Sequence, residues 1–147
     1  MRPNIYGTAL LIGDRGVVIT GASGAGKSIL ALALAGRFAS RWTLCRLVSD
    51  DQLLVTVRQG RVICRAPPAI AGKVEVRGIG PQAIPFEPAM VADMVVRLVP
   101  AAQATRLQED GVEVLGGVTL PRIDVPERAI EAAVAIVAAR LGLAPFA

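Results

Sequence analysis

Short aliphatic segments separated by turn residues recur along the chain, which is typical of a domain built on β-sheet. Thr8–Ile12 and residues 16–20 are the first two segments, and the Gly-Asp-Arg sequence between them predicts a tight hairpin. A second hairpin is predicted where residues 53–57 and Arg61–Arg65 flank the turn residues Gln-Gly. Further strands are predicted over residues 44–48, residues 73–77 and Met94–Val99.

Two helices are predicted. Residues 28–38 read SILALALAGRF, a run of strong helix formers with apolar side chains on almost every side, so we expect this helix to be largely buried. Near the C-terminus, Asp124 and Glu127 are spaced as a capping box, and Pro126 would lie in the first turn of a helix that starts there. Gly142 would end this second helix, whose apolar face is formed by Ile130, Val134, Val137 and Leu141.

Two segments between the predicted strands show little regular pattern. Residues 66–88 contain five prolines, so we expect a loop-rich region around the strand at residues 73–77. Residues 101–111 are polar, and we expect them to leave the body of the domain as a mobile excursion.

The predicted strands and helices together indicate an α/β fold, and the length and composition indicate one compact domain with an aliphatic core. The 147 residues are enough for a single core, and 53% of them are hydrophobic although only 3% are aromatic. No apolar run approaches the roughly 20 residues that a bilayer crossing needs. The N-terminal residues also lack the pattern of a secretion signal. We therefore expect a cytoplasmic protein without a membrane segment.

Charge and cysteine usage argue against two further classes of site. The formal net charge is +4, but the lysines and arginines are scattered and no basic run reaches five residues, so a nucleic-acid partner is not expected. Cys45 and Cys64 lie in apolar segments, and the chain has no histidine, which excludes a Cys/His zinc site. We expect both cysteines to be reduced thiols in the core.

A phosphate-binding loop is predicted between the second strand and the first helix. Residues 21–28, GASGAGKS, fit the pattern GxxxxGK[ST] with a β run before them and a helix after them. Small residues let successive backbone N–H groups approach phosphate oxygens, and the start of the helix adds partial positive charge. Lys27 is expected to contact the β- and γ-phosphates, and the Ser28 hydroxyl to coordinate Mg²⁺. The predicted nucleotide-binding residues are Gly21, Ala22, Ser23, Gly24, Ala25, Gly26, Lys27 and Ser28.

Asp50 and Asp51 follow the strand predicted at residues 44–48. Neighbouring side chains on an extended backbone point to opposite sides, so one carboxylate can face Mg²⁺ while the other faces an acceptor hydroxyl. The same Ser-Asp-Asp sequence is also common in solvated turns, and only the phosphate loop favours the catalytic interpretation.

Residues 71–80, AGKVEVRGIG, form the second candidate functional segment. On a strand, Glu75 and Arg77 share a face, and Gly78 and Gly80 would let the backbone approach a phosphate or substrate closely. The spacing alone favours a surface ion pair followed by a flexible turn. The functional interpretation of this segment therefore depends on its combination with the other motifs.

In this order and spacing, the motifs resemble those of the HPr kinase/phosphorylase family. The phosphate loop is followed by LVSDD at residues 47–51, RAP at residues 65–67 and GKVEVRGIG at residues 72–80. The resemblance runs from about Tyr6 to the final helix, without the separate N-terminal domain of longer members. It implies a short form, with residues 1–147 as a single catalytic domain, and a P-loop NTPase-like fold with a central mixed β-sheet and flanking helices.

The resemblance implies ATP-dependent phosphorylation of a serine of the phosphocarrier protein HPr. It also implies the reverse phosphorolysis, in which inorganic phosphate removes the phosphoryl group and pyrophosphate forms. ATP and Mg²⁺ would be the cofactors, and the protein would be a homo-oligomer. By position, Lys27 would bind phosphate, and Asp51 would be the general base in the forward direction and the general acid in reverse. The residues that would hold or support Mg²⁺ are Ser28, Asp50 and Glu75, and residues 77–80 would shape the phosphoryl site.

Two positions depart from the family pattern. Tyr6 stands where the family usually has an active-site histidine, and a phenol can donate a hydrogen bond to phosphate but cannot relay protons near neutral pH. Arg106, in the sequence ATRL, matches the later arginine of the family only loosely and is the candidate catalytic arginine.

Two other functions stay open. A P-loop kinase acting on a small molecule would use residues 66–88 as a closing lid. A non-catalytic regulator that senses ATP is the second alternative, motivated by Tyr6 and by the missing N-terminal domain.

Overall fold

The strands and helices below come from a computed structural model, which describes residues 4–38, 43–104 and 111–146. Within these ranges the chain forms twelve strands and two α-helices. The strands are β1 (Asn4–Tyr6), β2 (Thr8–Ile12), β3 (Arg15–Thr20), β4 (Cys45–Ser49), β5 (Gln52–Arg58), β6 (Arg61–Arg65), β7 (Lys73–Val76), β8 (Gly80–Ala83), β9 (Ala89–Ala92), β10 (Met94–Val99), β11 (Gly111–Leu115) and β12 (Val118–Pro126), and the helices are α1 (Lys27–Phe38) and α2 (Ile130–Leu141).

Six strands form a central mixed sheet in the order β11-β12-β10-β3-β2-β4. β10 pairs in parallel with both β3 and β12, and the other pairs are antiparallel. The carboxyl ends of β3, β10 and β12 therefore meet at one edge of the sheet. Because the loop at residues 21–26 follows β3 directly, the phosphate-binding motif lies at this edge.

Both helices pack on one face of the central sheet. Side chains alternate along each strand, so that every second residue of β2, β3 and β10 points toward the helices. The core between sheet and helices contains Leu10, Val17, Ile19, Leu30, Leu34, Val96, Val134 and Val137, among others.

A second sheet covers the opposite face. It is antiparallel, with strand order β1-β5-β6-β9, and it meets the alternate side chains of the central sheet. The chain therefore forms three layers, one of helices and two of sheet, with a separate ribbon of β7 and β8. The second core contains Ala9, Val18, Leu53, Val55, Val62 and Val95, among others.

The predicted α/β fold with a central mixed sheet is confirmed, as are most of the predicted elements. Both hairpins form, the strand at Met94–Val99 has the predicted bounds, and α1 begins one residue before its predicted start. Gly142 ends α2 in the left-handed conformation, at φ +65°.

The predicted start of the second helix is wrong. Asp124 and Pro126 lie on β12, and α2 begins at Ile130 without a side-chain capping hydrogen bond. The carboxylate of Asp124 accepts hydrogen bonds of 3.0 and 2.8 Å from Arg97, its partner in the parallel register. This hydrogen bonding raises the pKa of the Arg97 guanidinium. Asp124 therefore forms a cross-strand ion pair with Arg97 instead of the helix cap that the local sequence pattern predicts.

The expected burial of the first helix is wrong in part. Leu30, Ala31 and Leu34 are buried, but Ile29 is 51% exposed because only one side of α1 meets the sheet. Of the predicted polar excursion, residues 101–103 form a 3₁₀ turn, and residues 105–110 lie outside the described residues.

Cys45 and Cys64 are free and buried, as predicted. Burial raises the pKa of the Cys45 thiol to about 12 and that of Cys64 to about 11, so both thiols are protonated at neutral pH. Among the described residues, no helix combines the length and the apolar character that crossing a bilayer would require.

The contact between β3 and β9 leaves no space for a side chain at Gly16, because a Cβ there would lie 1.9 Å from the Val91 carbonyl oxygen. We expect Gly16→Ala to lower the free energy of unfolding by at least about 2 kcal/mol, since backbone atoms of two strands would have to move apart. Urea denaturation monitored by circular dichroism measures this change.

Gly36→Ala is the matched control. Gly36 is exposed on α1, and a Cβ there has no neighbour within 4 Å, so alanine should raise stability by about 0.5–1 kcal/mol through its better helix propensity. Equal stability of the Gly16→Ala chain and the parent chain would contradict the close approach of β3 and β9.

Candidate active site

The loop after β3 adopts a conformation that depends on its glycines. Gly24 and Gly26 have φ values of +81° and +104°, which residues with a Cβ rarely adopt. A Cβ at Gly21 would lie 3.0 Å from that of Leu98, so this glycine lets the loop begin against β10. The Gly26 carbonyl accepts a 2.9 Å hydrogen bond from the N–H of Leu30. Helix α1 therefore starts directly after the loop, and its first N–H groups are free to bind an anion.

Lys27 places a positive charge beside this loop. Its side chain is only 8% exposed, and Nζ donates to the carbonyl oxygens of Gly21 at 3.3 Å and Ala22 at 3.4 Å. The same Nζ lies 4.0 Å from Oδ1 of Asp51. The loop carbonyls thus satisfy the buried ammonium group and hold it between the phosphate-binding loop and an acid.

Asp50 is a buried carboxylate that joins three elements. It is 6% exposed, and its Oδ1 accepts hydrogen bonds from the hydroxyls of Thr8 on β2, at 3.0 Å, and Ser28 on α1, at 2.6 Å. Its Oδ2 accepts a 3.0 Å hydrogen bond from the backbone N–H of Glu75 on β7. Three donors on separate elements satisfy the buried negative charge and fix the direction of the carboxylate.

Asp51 has a different environment from its neighbour. Its side chain is 63% exposed, and its backbone is left-handed at φ +67°. The premise that Asp50 and Asp51 share an extended backbone is therefore wrong. The two carboxylates separate because Asp50 directly follows the buried strand β4 and stays in the interior, whereas the left-handed backbone of Asp51 turns its side chain toward Lys27. One acid is thus fixed in the interior, and the other is available to a molecule that enters from solvent.

The phosphate loop, the two acids and the β7–β8 ribbon enclose a cleft of about 550 Å³. Ribbon residues Lys73, Glu75 and Arg77 contribute two positive charges and one negative charge to its lining. An ion pair between Glu75 and Arg77, which the spacing alone favoured, is not among the ion pairs of the described residues. Both side chains line the cleft instead, so this segment belongs to the candidate site.

The residues present fit Mg²⁺ bound together with a phosphorylated ligand. The Ser28 hydroxyl and the Asp50 carboxylate are in contact and line the cleft, and the Glu75 carboxylate lines the same cleft. Within residues 4–38, 43–104 and 111–146, no group of three or more His, Cys, Asp or Glu side chains could hold a metal ion. Mg²⁺ commonly takes one or two carboxylates and completes its shell with water and substrate phosphates, so such a group is not required.

Two predicted residues lie apart from this cluster. Tyr6 is 71% exposed at the end of β1, where it faces Gln52, the residue after Asp51, but it does not line the cleft. Arg106 lies outside the described residues.

Several contributors to the site were not predicted from the sequence, among them Gln52, Ile70 and Thr8. Gln52 and Ile70 line the cleft but carry no recognisable motif, since their contribution depends on how β5 and the turn before β7 are placed. Thr8 donates a hydrogen bond from its hydroxyl to Asp50. The sequence does contain a sign of this role, because Thr8 is the single polar residue of an otherwise aliphatic strand.

Comparison with known proteins gives a family match and similar sequences. A sequence profile described as HPr Serine kinase C-terminal domain matches residues 1–140. The chain is 31% identical over 137 residues to the HPr kinase/phosphorylase of Limosilactobacillus reuteri (strain DSM 20016), an alignment that covers 85% of this chain and 41% of the relative. It is 38% identical over 76 residues to the HPr kinase/phosphorylase of Clostridium beijerinckii, covering 52% of this chain and 23% of that one. The chain thus spans less than half the length of these curated relatives.

A solved structure shares the fold. The Hpr(Ser) kinase/phosphatase from Coxiella burnetii superposes with a TM-score of 0.79 at 22% sequence identity, covering 92% of this chain and 86% of that chain. The arrangement of the central mixed sheet and its helices is therefore common to both proteins.

Because Asp50 satisfies three donors, its removal should destabilise the whole chain. We expect Asp50→Ala to lower the free energy of unfolding by about 2–3 kcal/mol, since two hydroxyls and one backbone N–H lose their acceptor in a buried place. Asp51→Asn is the control and should change stability by less than about 0.5 kcal/mol, because Asp51 is exposed and asparagine tolerates a left-handed backbone. Guanidinium denaturation measures both, and equal losses would contradict the structural difference between the two acids.

Proposed function

The chain belongs to the HPr Serine kinase C-terminal domain family, and from this membership and the cleft geometry we propose that it transfers the γ-phosphoryl group of ATP to a serine of HPr. We also propose the reverse reaction, in which inorganic phosphate removes the phosphoryl group from phosphoseryl-HPr and pyrophosphate forms. The relatives named above carry both activities in their names. Residues 1–147 would act as a single catalytic domain.

One observation carries the proposal. The ammonium group of Lys27 lies 4.0 Å from the carboxylate of Asp51, at a glycine-rich loop that begins a helix and opens into the cleft. A cation that can hold a terminal phosphate is thus next to an exposed acid that can accept a proton from an incoming alcohol. Phosphoryl transfer needs the group that holds the phosphate and the group that accepts the proton to lie close together, so that phosphate and alcohol meet between them.

ATP would bind with its phosphates on residues 21–28. The left-handed glycines expose backbone N–H groups, and the first turn of α1 adds its partial positive charge. Lys27 would exchange its contacts with the loop carbonyls for contacts with the phosphate oxygens. The exposed Arg77 and Lys73 would add positive charge on the ribbon side of the cleft.

Ser28, Asp50 and Glu75 would hold Mg²⁺. When bound, Mg²⁺ supplies charge neutralisation at the phosphate oxygens. The role of this chain is to keep Ser28 and Asp50 in contact and to present Glu75 on β7, which the hydrogen bond between the Glu75 N–H and Asp50 fixes relative to the loop.

Asp51 would act as the general base in the forward direction. As the seryl oxygen forms a bond to the γ-phosphorus, the bond between that phosphorus and the β–γ bridging oxygen breaks, ADP leaves, and the seryl proton passes to Asp51. In reverse, an oxygen of inorganic phosphate forms a bond to the phosphorus of phosphoserine while the bond from that phosphorus to the seryl oxygen breaks, so that pyrophosphate forms and Asp51 gives its proton to the leaving seryl oxygen. The exposure of Asp51 suits this role because the acceptor is part of another protein.

We propose three further properties that the family implies. Arg106 would neutralise charge during transfer, the enzyme would work in the cytoplasm, and it would assemble as a homo-oligomer. An exposed apolar edge supports the assembly: β11 is an edge strand of the central sheet, and its Val112 and Val114 are 58% and 65% exposed.

Lys27→Ala and Asp51→Asn should separate binding from transfer. We expect Lys27→Ala to weaken ATP binding by about 10- to 100-fold, because a charge-assisted contact to phosphate is lost. Asp51→Asn should keep the parent affinity for ATP but lower the rate of transfer by at least about 100-fold, because the amide cannot accept the seryl proton. Isothermal titration calorimetry gives the affinity, and a single-turnover assay gives the rate. Equal loss of ATP binding in both variants would refute this division of roles.

Incubation of the parent chain with ATP, Mg²⁺ and cognate HPr tests the function directly. We expect mass spectrometry to find one phosphoryl group on an HPr serine, and pyrophosphate to appear when inorganic phosphate is added afterwards. Lys27→Ala is the negative control. Unmodified HPr at saturating ATP would refute the proposal. In that case, turnover of ATP with a small acceptor would indicate a small-molecule kinase. Tight ATP binding without turnover would indicate a regulator.

A further inference from the structure

We infer that Thr8 is a positioning residue, whose buried hydroxyl ties the carboxylate of Asp50 to the backbone of Asp51. The inference about transfer rests on the function proposed above. Thr8 is 0% exposed at the start of β2, and the four residues after it are aliphatic. A hydroxyl in such a place costs free energy unless it is hydrogen-bonded, so its partners indicate its purpose.

The hydroxyl of Thr8 forms hydrogen bonds with the side chain of Asp50 and with the backbone of Asp51. It donates to Oδ1 of Asp50 at 3.0 Å and accepts a 3.2 Å hydrogen bond from the backbone N–H of Asp51. A threonine hydroxyl has one proton to donate, and Thr8 gives it to the buried carboxylate. Its oxygen remains available as an acceptor, which the Asp51 N–H uses.

The bond to the Asp51 N–H matters because the Asp51 backbone is left-handed at φ +67°. Such a conformation is uncommon for a residue with a Cβ and persists when surrounding contacts hold it. Two contacts from the start of β2 do so: Thr8 accepts the Asp51 N–H, and the N–H of Gly7 donates to the Asp51 carbonyl at 2.9 Å. Both peptide groups of Asp51 are therefore held by two consecutive residues, Gly7 and Thr8, at the junction of β1 and β2.

This arrangement sets where the exposed acid points. Among the hydrogen bonds and ion pairs of the described residues, the Asp51 side chain takes part in one, at 4.0 Å from Lys27, so its direction depends on the backbone beneath it. Valine has nearly the same shape as threonine and would suit the strand equally well. The hydroxyl is therefore the feature that links the two acids, and its removal should affect transfer more than ATP binding.

Thr8→Val and Thr8→Ser test this inference in the assay with HPr. We expect Thr8→Val to lower kcat by about 10- to 100-fold, because Asp51 loses its fixed position, with the ATP affinity unchanged within about twofold. Thr8→Ser removes a methyl group but keeps the hydroxyl, so kcat should stay within about threefold of the parent. Thr56→Val is the matched control: Thr56 is a half-buried strand threonine outside the cleft, and its replacement should leave kcat unchanged.

Several outcomes would overturn the inference. An unchanged kcat in Thr8→Val would show that the hydroxyl does not position Asp51. An equal loss of kcat in Thr8→Val and Thr8→Ser would assign the effect to packing, and so would a matching loss of ATP affinity. If the valine variant does not fold, Thr8→Cys replaces it with the same expected direction, because a thiol is a weak donor and acceptor.

Amide hydrogen exchange at Asp51, followed by NMR, tests the same contact without any enzymatic turnover. We expect the Asp51 amide to exchange about 10-fold faster in Thr8→Val than in the parent chain, with no change in Thr56→Val. Equal exchange in Thr8→Val and the parent would overturn the role of Thr8 alone. A parent chain that fails to modify HPr would instead contradict the proposed function, whatever the exchange result.

Discussion

The buried carboxylate of Asp50 is the contact on which the geometry of the candidate site depends. A strand of the central sheet, the first turn of a helix and the outlying β7–β8 ribbon each direct one donor at it. The helix and the central sheet also pack together in the core, whereas β7 and β8 pair with neither of the larger sheets, so the hydrogen bond from Glu75 to Asp50 links the ribbon to them. A negative charge with little access to water needs all of its donors, so it holds the three elements in one arrangement.

The phosphate loop depends on a second constraint, which is the parallel pairing of β3 and β10. That pairing brings the end of β3 against Leu98, where a residue without a side chain is needed at the first position of the loop. The aliphatic side chains of β3 are buried on both faces of the sheet and fix its position. The glycine-rich loop is therefore anchored at both ends, by β3 before it and by α1 after it.

The sequence pattern correctly predicted the elements that depend only on residues close together in the chain. The hairpins, α1 and the position of the glycine-rich loop after β3 follow from residues adjacent in sequence, and the two acids were proposed as site residues because they directly follow a buried strand. Asp124 shows why other predictions were wrong: its spacing from Glu127 satisfies a helix cap, but Arg97 faces it across a parallel pair that no local pattern reveals. Short strands such as β1 and β9 carry too few residues to show a period, and the second sheet they help to form was missed for that reason.

The chain passes from the central sheet to the second sheet at Asp50 and Asp51, between β4 and β5. The loop that would hold the nucleotide belongs to the layer of helix and central sheet, whereas Gln52 and Tyr6, next to the exposed acid, belong to the smaller sheet. The two substrates of a transfer reaction would thus meet different layers. Under the proposed function, substitutions in the smaller sheet would change which acceptor docks while the loop that binds the phosphate donor stays the same, so acceptor specificity could evolve separately from the transfer chemistry.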